Sequence, residues 1–207
     1  MAACIAAGAL FHVSIGPVPV TFQVLFVALA GLVLGPRYGV YAVALYIFAG
    51  AVGLPVFSGG RAGLGHLVGP TGGYLAGYLL LVFFSGLGSR LWIHNMPEGA
   101  EDKSDRSDTD DAGNRENCLS VKRLFPVAAM ALIGLICLYV CGTSWFMHAM
   151  DFSFTKAFMV GVAPFILPDT FKILMAVLVW RTLYGRGYLP AEGRVFGSGA
   201  GAGAASK

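Results

Sequence analysis

Residues 54–74 read LPVFSGGRAGLGHLVGPTGGY, and where this stretch sits decides the fold. Seven glycines together with Pro55 and Pro70 make it unfit for a membrane helix, yet long apolar segments flank it on both sides. Connections of this length without secondary structure are uncommon in compact domains and often serve as lids or binding loops. The stretch is therefore expected to cover a small-molecule site in a membrane protein.

Composition carries the same message. Of 207 residues, 57% are hydrophobic and only 12% charged, against about 25% charged in soluble domains. Residues 1–36, 38–60, 62–89 and 124–150 contain no Asp, Glu, Lys or Arg. A spanning helix needs about 20 predominantly apolar residues, so these runs are long enough to cross a bilayer. The net charge of +3 gives no argument for nucleic acid, because membrane orientation accounts for the basic residues better.

Turn signals divide the chain into six apolar segments, near residues 2–15, 21–34, 38–53, 72–93, 124–147 and 158–184. The expected fold is an all-α membrane protein of six transmembrane helices, with the Gly-rich loop facing outward between helices three and four. Residues 1–94 hold helices one to four, and 124–190 hold helices five and six. Between them, residues 95–123 form a charged cytoplasmic linker with almost nothing to bury, and 191–207 form a flexible low-complexity tail. The first segment is short, so either more chain precedes Met1 or the helix tilts little and starts at the terminus. No basic n-region and no A-x-A site appear, so a removable signal peptide is not expected.

With six segments both termini share one side. Eleven of the 14 Lys and Arg residues then fall on that side, and only Arg61 and Lys156 on the other. This positive-inside bias puts the termini in the cytoplasm of a multi-pass inner-membrane protein and the Gly-rich loop outside. The remaining cation, Lys172, lies inside the last segment with Asp169 three residues before it, on one helix face. An intramembrane ionisable pair is costly and marks a functional site by default, although mutual neutralisation that pins helix packing is the alternative.

Other motifs exclude more than they suggest. The glycines lack the G-K-[ST] end of a P-loop and the strand and soluble helix of a dinucleotide fold. His12, His66, His94 and His148 are not spaced as metal ligands, and neither H-E-x-x-H nor G-x-S-x-G occurs, so no catalytic centre, metal or cofactor is expected. Cys4, Cys118, Cys137 and Cys141 suit packing rather than a disulfide framework. In the first segment Ala2 with Ala6, and Ala3 with Ala7, form small-xxx-small pairs that let helices approach closely, within the chain or against a partner.

The runs GPVPVTFQVLFVALAGLVLGPRYG (16–39), YIFAGAVGLPVFSGGRAGLG (46–65), GPTGGYLAGY (69–78) and PFILPDTFK (164–172) together resemble the BioY family. These are the substrate-binding membrane components of biotin transporters of the energy-coupling factor type. The resemblance implies a six-helix protein that binds biotin from outside and works with a transmembrane coupling subunit and a pair of ATPases in the lipid bilayer. It also implies that Ala2, Ala3, Ala6 and Ala7 contact the coupling subunit. Two features depart from the family pattern, the short first helix and the long charged linker.

Biotin carries two ureido N–H donors, a carbonyl, an apolar sulfur ring and a carboxylate. Asp169 suits the N–H groups, and Lys172 suits the carbonyl or the carboxylate. Tyr74, Phe57 and Tyr78 are candidates to stack on the rings, Gly72 and Gly73 to present backbone N–H groups, and Arg61 to attract the carboxylate, although a snorkelling interfacial arginine is the plainer role. Thr21 and Gln23 match the family's second-helix motif without an assigned role. The loop is expected to pack over Asp169 and Lys172. Components for another small vitamin, or a ligand-free membrane scaffold, remain the alternatives.

Overall fold

The computed structural model describes residues 1–14, 19–94 and 121–186. Most of the linker expected at 95–123 and the tail expected at 191–207 lie outside the described residues.

Helix α4, Gly72–His94, is the axis of the bundle and packs against both α2, Gln23–Val52, and α5, Val121–Met150. Small residues set these contacts. A Cβ on Gly77 would come within 2.9 Å of the Leu138 Cα, and one on Gly134 within 3.1 Å of the Leu81 Cα, so the α4 and α5 backbones are nearly in contact. Gly73-xxx-Gly77 on α4 provides the small-xxx-small face that membrane helices use for such approach.

Segments two and three form one helical run, α2, broken in the middle. Gly35 adopts φ 75°, ψ 177°, a conformation open to glycine, and Pro36 follows it. The chain folds back there. Gln23 and Tyr46, about 35 Å apart along a straight helix, are joined by a 2.6 Å hydrogen bond. The reversal rests on α4, where a Cβ on Gly86 would meet Pro36.

The first segment differs most from expectation. Helix α1 covers only Ala2–Leu10, about 14 Å of rise against a hydrocarbon core of about 30 Å. Phe11 then turns extended, and β1, His12–Ser14, pairs antiparallel with β2, Pro19–Thr21. A short hairpin thus accompanies the helical bundle. β-branched Val13, Val20 and Thr21 favour the strand state, and Pro19, which cannot donate, takes the terminal pair with Ser14. The Phe22 amide bonds the Gly8 carbonyl at 3.2 Å and ties this hairpin to α1.

The last apolar segment is also two elements. Short α6, Phe154–Gly161, ends at Val162, whose φ of −128° and ψ of −54° leave the helical region, and α7, Ala163–Gly185, starts with Pro164 in its first turn. By length and hydropathy four helices among the described residues suffice to cross a membrane: α2, α4, α5 and α7.

Residues 53–71 connect α2 to α4 and contain a 3₁₀ turn, Ser58–Gly60, and the single-turn helix α3, Leu64–Val68. The connection is more structured than a plain loop. Gly53, at φ 116°, caps α2, and the Gly63 amide returns to the Gly50 carbonyl at 2.7 Å. Fully buried Phe57 lies on Gly50, edge-on to Tyr46 and stacked on His66.

Two glycine replacements separate the packing seam from open positions. Gly77→Ala should lower the stability of the purified protein by about 1–3 kcal/mol, because a backbone atom blocks the added methyl. Gly65→Ala in α3, where nothing lies within 4 Å, should be neutral or slightly stabilising. Thermal unfolding in detergent compares the two, and equal effects would contradict the close α4–α5 contact.

Candidate functional site

A cleft of about 600 Å³, open mouth included, lies where the ends of α2, α4, α5 and α7 meet the Gly-rich connection. Asp169 on α7, Tyr139 on α5, Tyr74 and Tyr78 on α4 and Thr21 and Gln23 at the start of α2 line it. The connection adds Ser58, His66 and Thr71, so it borders the same cleft as Asp169.

The polar groups are organised around one ion pair. Lys172 Nζ donates to Asp169 Oδ1 at 2.8 Å and to the Thr21 carbonyl at 2.6 Å, with the Phe22 ring on a further side of the ammonium. The Tyr139 hydroxyl donates to the other carboxylate oxygen at 3.0 Å. Asp169 and Lys172 are only 4% and 7% exposed, so their partners replace the water both have lost. Each carboxylate oxygen keeps a further lone pair for a donor arriving in the cleft.

A second network runs beside the first. Thr21 Oγ1 donates to Gln23 Oε1 at 3.0 Å, Gln23 Nε2 donates to the Tyr46 hydroxyl, and that hydroxyl donates to the Val56 carbonyl of the connection at 3.2 Å. Tyr74 donates to the Gly161 carbonyl at 2.8 Å and so fixes the α6–α7 junction against α4. At the mouth, His66 Nε2 and Thr71 Oγ1 share a 3.2 Å hydrogen bond. Burial first, then the charge of Arg61, holds the His66 imidazole below its ordinary value, which keeps it neutral at pH 7.

The residues singled out in the sequence divide into groups. Asp169, Tyr74 and Tyr78 line the cleft, and Lys172 stands directly behind Asp169. Phe57 is the buried anchor of the connection rather than a lining residue, and Arg61 is exposed, its carbonyl accepting from the Phe57 amide. Gly72 and Gly73 face helix contacts: the Gly72 amide already donates to Gly69, and side chains at the two positions would meet Leu67 and Trp145. On α1, Ala3 and Ala7 are exposed while Ala2 and Ala6 are half-buried against the core.

Sequence reasoning missed Tyr139 and Tyr46. Each stands in an uncharged run, and its partner lies 30 residues away for Tyr139 and 23 for Tyr46. The detectable signal is depth, since tyrosines gather at membrane interfaces and one inside a span has a polar partner to reach. Among the described residues no three His, Cys, Asp or Glu side chains come together as a metal site.

The ion pair makes a stability prediction independent of any ligand. Lys172→Met strands the Asp169 carboxylate and should destabilise the ligand-free protein by about 3–5 kcal/mol. The double change Asp169→Asn with Lys172→Met should recover much of that loss. Denaturant unfolding in detergent measures both, and a double variant no more stable than Lys172→Met would show that the two groups are not coupled.

Known proteins place this architecture. The BioY family model matches residues 1–187. Curated relatives include "Probable biotin transporter BioY" of Pyrococcus horikoshii, 38% identical over 86% of this chain and 88% of that protein. "Biotin transporter BioY" of Thermotoga maritima is 36% identical over 86% and 87%, and that of Rhizobium etli 37% identical over 91% of each. Among solved structures, the fold is similar to the S-component for biotin from an ECF-type ABC transporter, with a TM-score of 0.69 and 24% identity over 88% of this chain and 86% of that one. The matched residues span the Gly-rich connection and the Asp169–Lys172 pair, and the chain belongs to the BioY family.

Proposed function

We propose that this protein takes up biotin as the substrate-binding S component of an energy-coupling factor transporter. It is a transport protein and not an enzyme. The observation that carries the reading is the cleft itself, in which a buried carboxylate with free lone pairs stands among three tyrosines beneath a structured connection. The ureido N–H groups of biotin are donors for Asp169, and Tyr74, Tyr78 and Tyr139 offer ring faces and hydroxyls to the bicyclic head. Lys172 acts through Asp169, orienting its carboxylate from behind the cleft wall. A site built to accept N–H groups rejects analogues that lack them, because a buried acceptor is then left unpaired.

In this reading the chain crosses the cytoplasmic membrane six times, the first crossing made by α1 together with the residues that follow it and the next two by the two arms of α2. Both termini are cytoplasmic and the connection at 53–71 closes the cleft from outside. Two placements support that sidedness. Arg90 and Arg181 lie near Trp92 and Trp180, whose rings meet at 5.1 Å at the end of the bundle away from the connection. The only cations expected outside, Arg61 and Lys156, lie at the connection's end. Exposed Phe48, Ile136, Leu167 and Phe171 face lipid. The exposed Ala3 and Ala7 of α1 form the face that meets a coupling subunit, and an ATPase pair supplies the energy. Phe57 positions the connection, and Gly72 and Gly73 hold α4 against its neighbours.

Equilibrium binding to purified protein tests the function. Biotin should bind with a dissociation constant on the order of nanomolar. Asp169→Ala and Lys172→Ala should each weaken binding by about 2 kcal/mol or more, roughly 30-fold. Wild-type protein that binds no biotin would refute the function, and two variants that bind as tightly as wild type would refute the site.

A further inference from the structure

Gln23 lines the cleft with an amide whose two ends have opposite chemistry, one oxygen acceptor and one nitrogen donor. Which end the ligand meets is decided outside the cleft. The Val56 carbonyl can only accept, so the Tyr46 hydroxyl at 3.2 Å must donate its one proton there. Having no second proton, Tyr46 can then only accept from Gln23, and the 2.6 Å contact between them must come from the amide nitrogen. That turns Oε1 away from Tyr46 toward Thr21 and Tyr78. The Thr21 hydroxyl completes this arrangement, donating to Oε1 at 3.0 Å while it accepts the Gln23 backbone N–H at 3.4 Å.

The chain of donors runs in one direction, and its first link is backbone of the Gly-rich connection. If residue 56 moves away, the Tyr46 proton is released and can be given to Gln23 Oε1, and the amide is free to turn over. Of the two bonds that Oε1 accepts, the one from Tyr78 is 3.5 Å long, at the outer limit of a hydrogen bond, so a ligand N–H can take its place. Tyr46 is 2% exposed and does not line the cleft, so water does not supply its hydroxyl with an alternative partner.

We infer that Tyr46 is a positioning residue through which the closed connection orients Gln23, so that the cleft presents an acceptor there and selects ligands with an N–H donor. This rests on the biotin reading above for the ligand but not for the geometry. It assigns specificity to a side chain that does not touch the ligand, and it ties selectivity to closure: the open cleft is indifferent at this position and the closed one is not.

The test compares the affinities of biotin and of its two singly N-methylated ureido derivatives for wild type and variants. Wild type should prefer biotin over both. In Tyr46→Phe the preference over one of the two derivatives should shrink by about tenfold, the equivalent of one buried hydrogen bond, while the other stays as in wild type. Gln23→Leu should lose the same preference, and Tyr46→Phe added to it should lose no more. Replacement Tyr46→para-aminophenylalanine keeps the size and a polar group but offers two N–H donors, one for Val56 and one for Gln23 Oε1. It should turn the amide over and lose the preference even where Tyr46→Phe folds poorly. An unchanged preference in either Tyr46 variant would overturn the inference. Wild-type protein without biotin binding would instead overturn the functional reading.

Discussion

The hydrogen bond from the Lys172 ammonium to the Thr21 carbonyl joins residues 151 positions apart, and much of the site depends on it. A lysine this deep in an apolar bundle is tolerated only with its charge matched and its donors used. Asp169, three residues earlier on the same helix face, matches the charge, and Thr21 takes a second donor at the point where the β1–β2 hairpin gives way to α2. The ion pair therefore does more than sit in a cleft. It fixes α7 against the start of α2, and the carboxylate it orients becomes the polar floor of the cleft.

From that floor a polar path reaches the cover. Thr21 bonds Lys172 through its carbonyl and Gln23 through its hydroxyl, Gln23 bonds Tyr46, and Tyr46 bonds the backbone at Val56. The path is possible only because α2 doubles back at Gly35, which brings Gln23 beside Tyr46, and because Phe57 buries itself on Gly50 and holds Val56 in place. Glycines in this protein thus have two separate uses. Some permit a backbone turn, as at Gly35 and Gly53, and others permit helices to touch, as at Gly77 and Gly134.

Those two uses explain what was legible in the sequence. Uncharged runs bounded by turn residues located α4 and α5 closely, and the Gly35-Pro36-Arg37 signal marked the reversal inside α2. The pair Asp169 and Lys172 was legible because charge is rare in such runs and three-residue spacing places both on one face. The glycines of GPTGGY were harder, since composition does not say whether a glycine makes room for a ligand or for a helix, and at Gly72 and Gly73 the neighbours are Leu67 and Trp145. The expected first helix runs past Leu10 because uncharged residues 11–15 carry no Gly or Pro stop before Gly16, while pairing with β2 draws the chain out after Leu10. Tyr46 and Tyr139 were not legible, because a hydroxyl's partner is set by tertiary contact and has no local spacing.

In the proposed function Asp169, its lysine and the Gly-rich connection enclose one biotin cleft. The most direct measurement is a structure determined with biotin bound. The bicyclic head is expected among Tyr74, Tyr78 and Tyr139, with a ureido N–H on Asp169 and with Ser58, His66 and Thr71 closed over it. Biotin held elsewhere in the bundle, or bound with Asp169 out of hydrogen-bond reach, would contradict it.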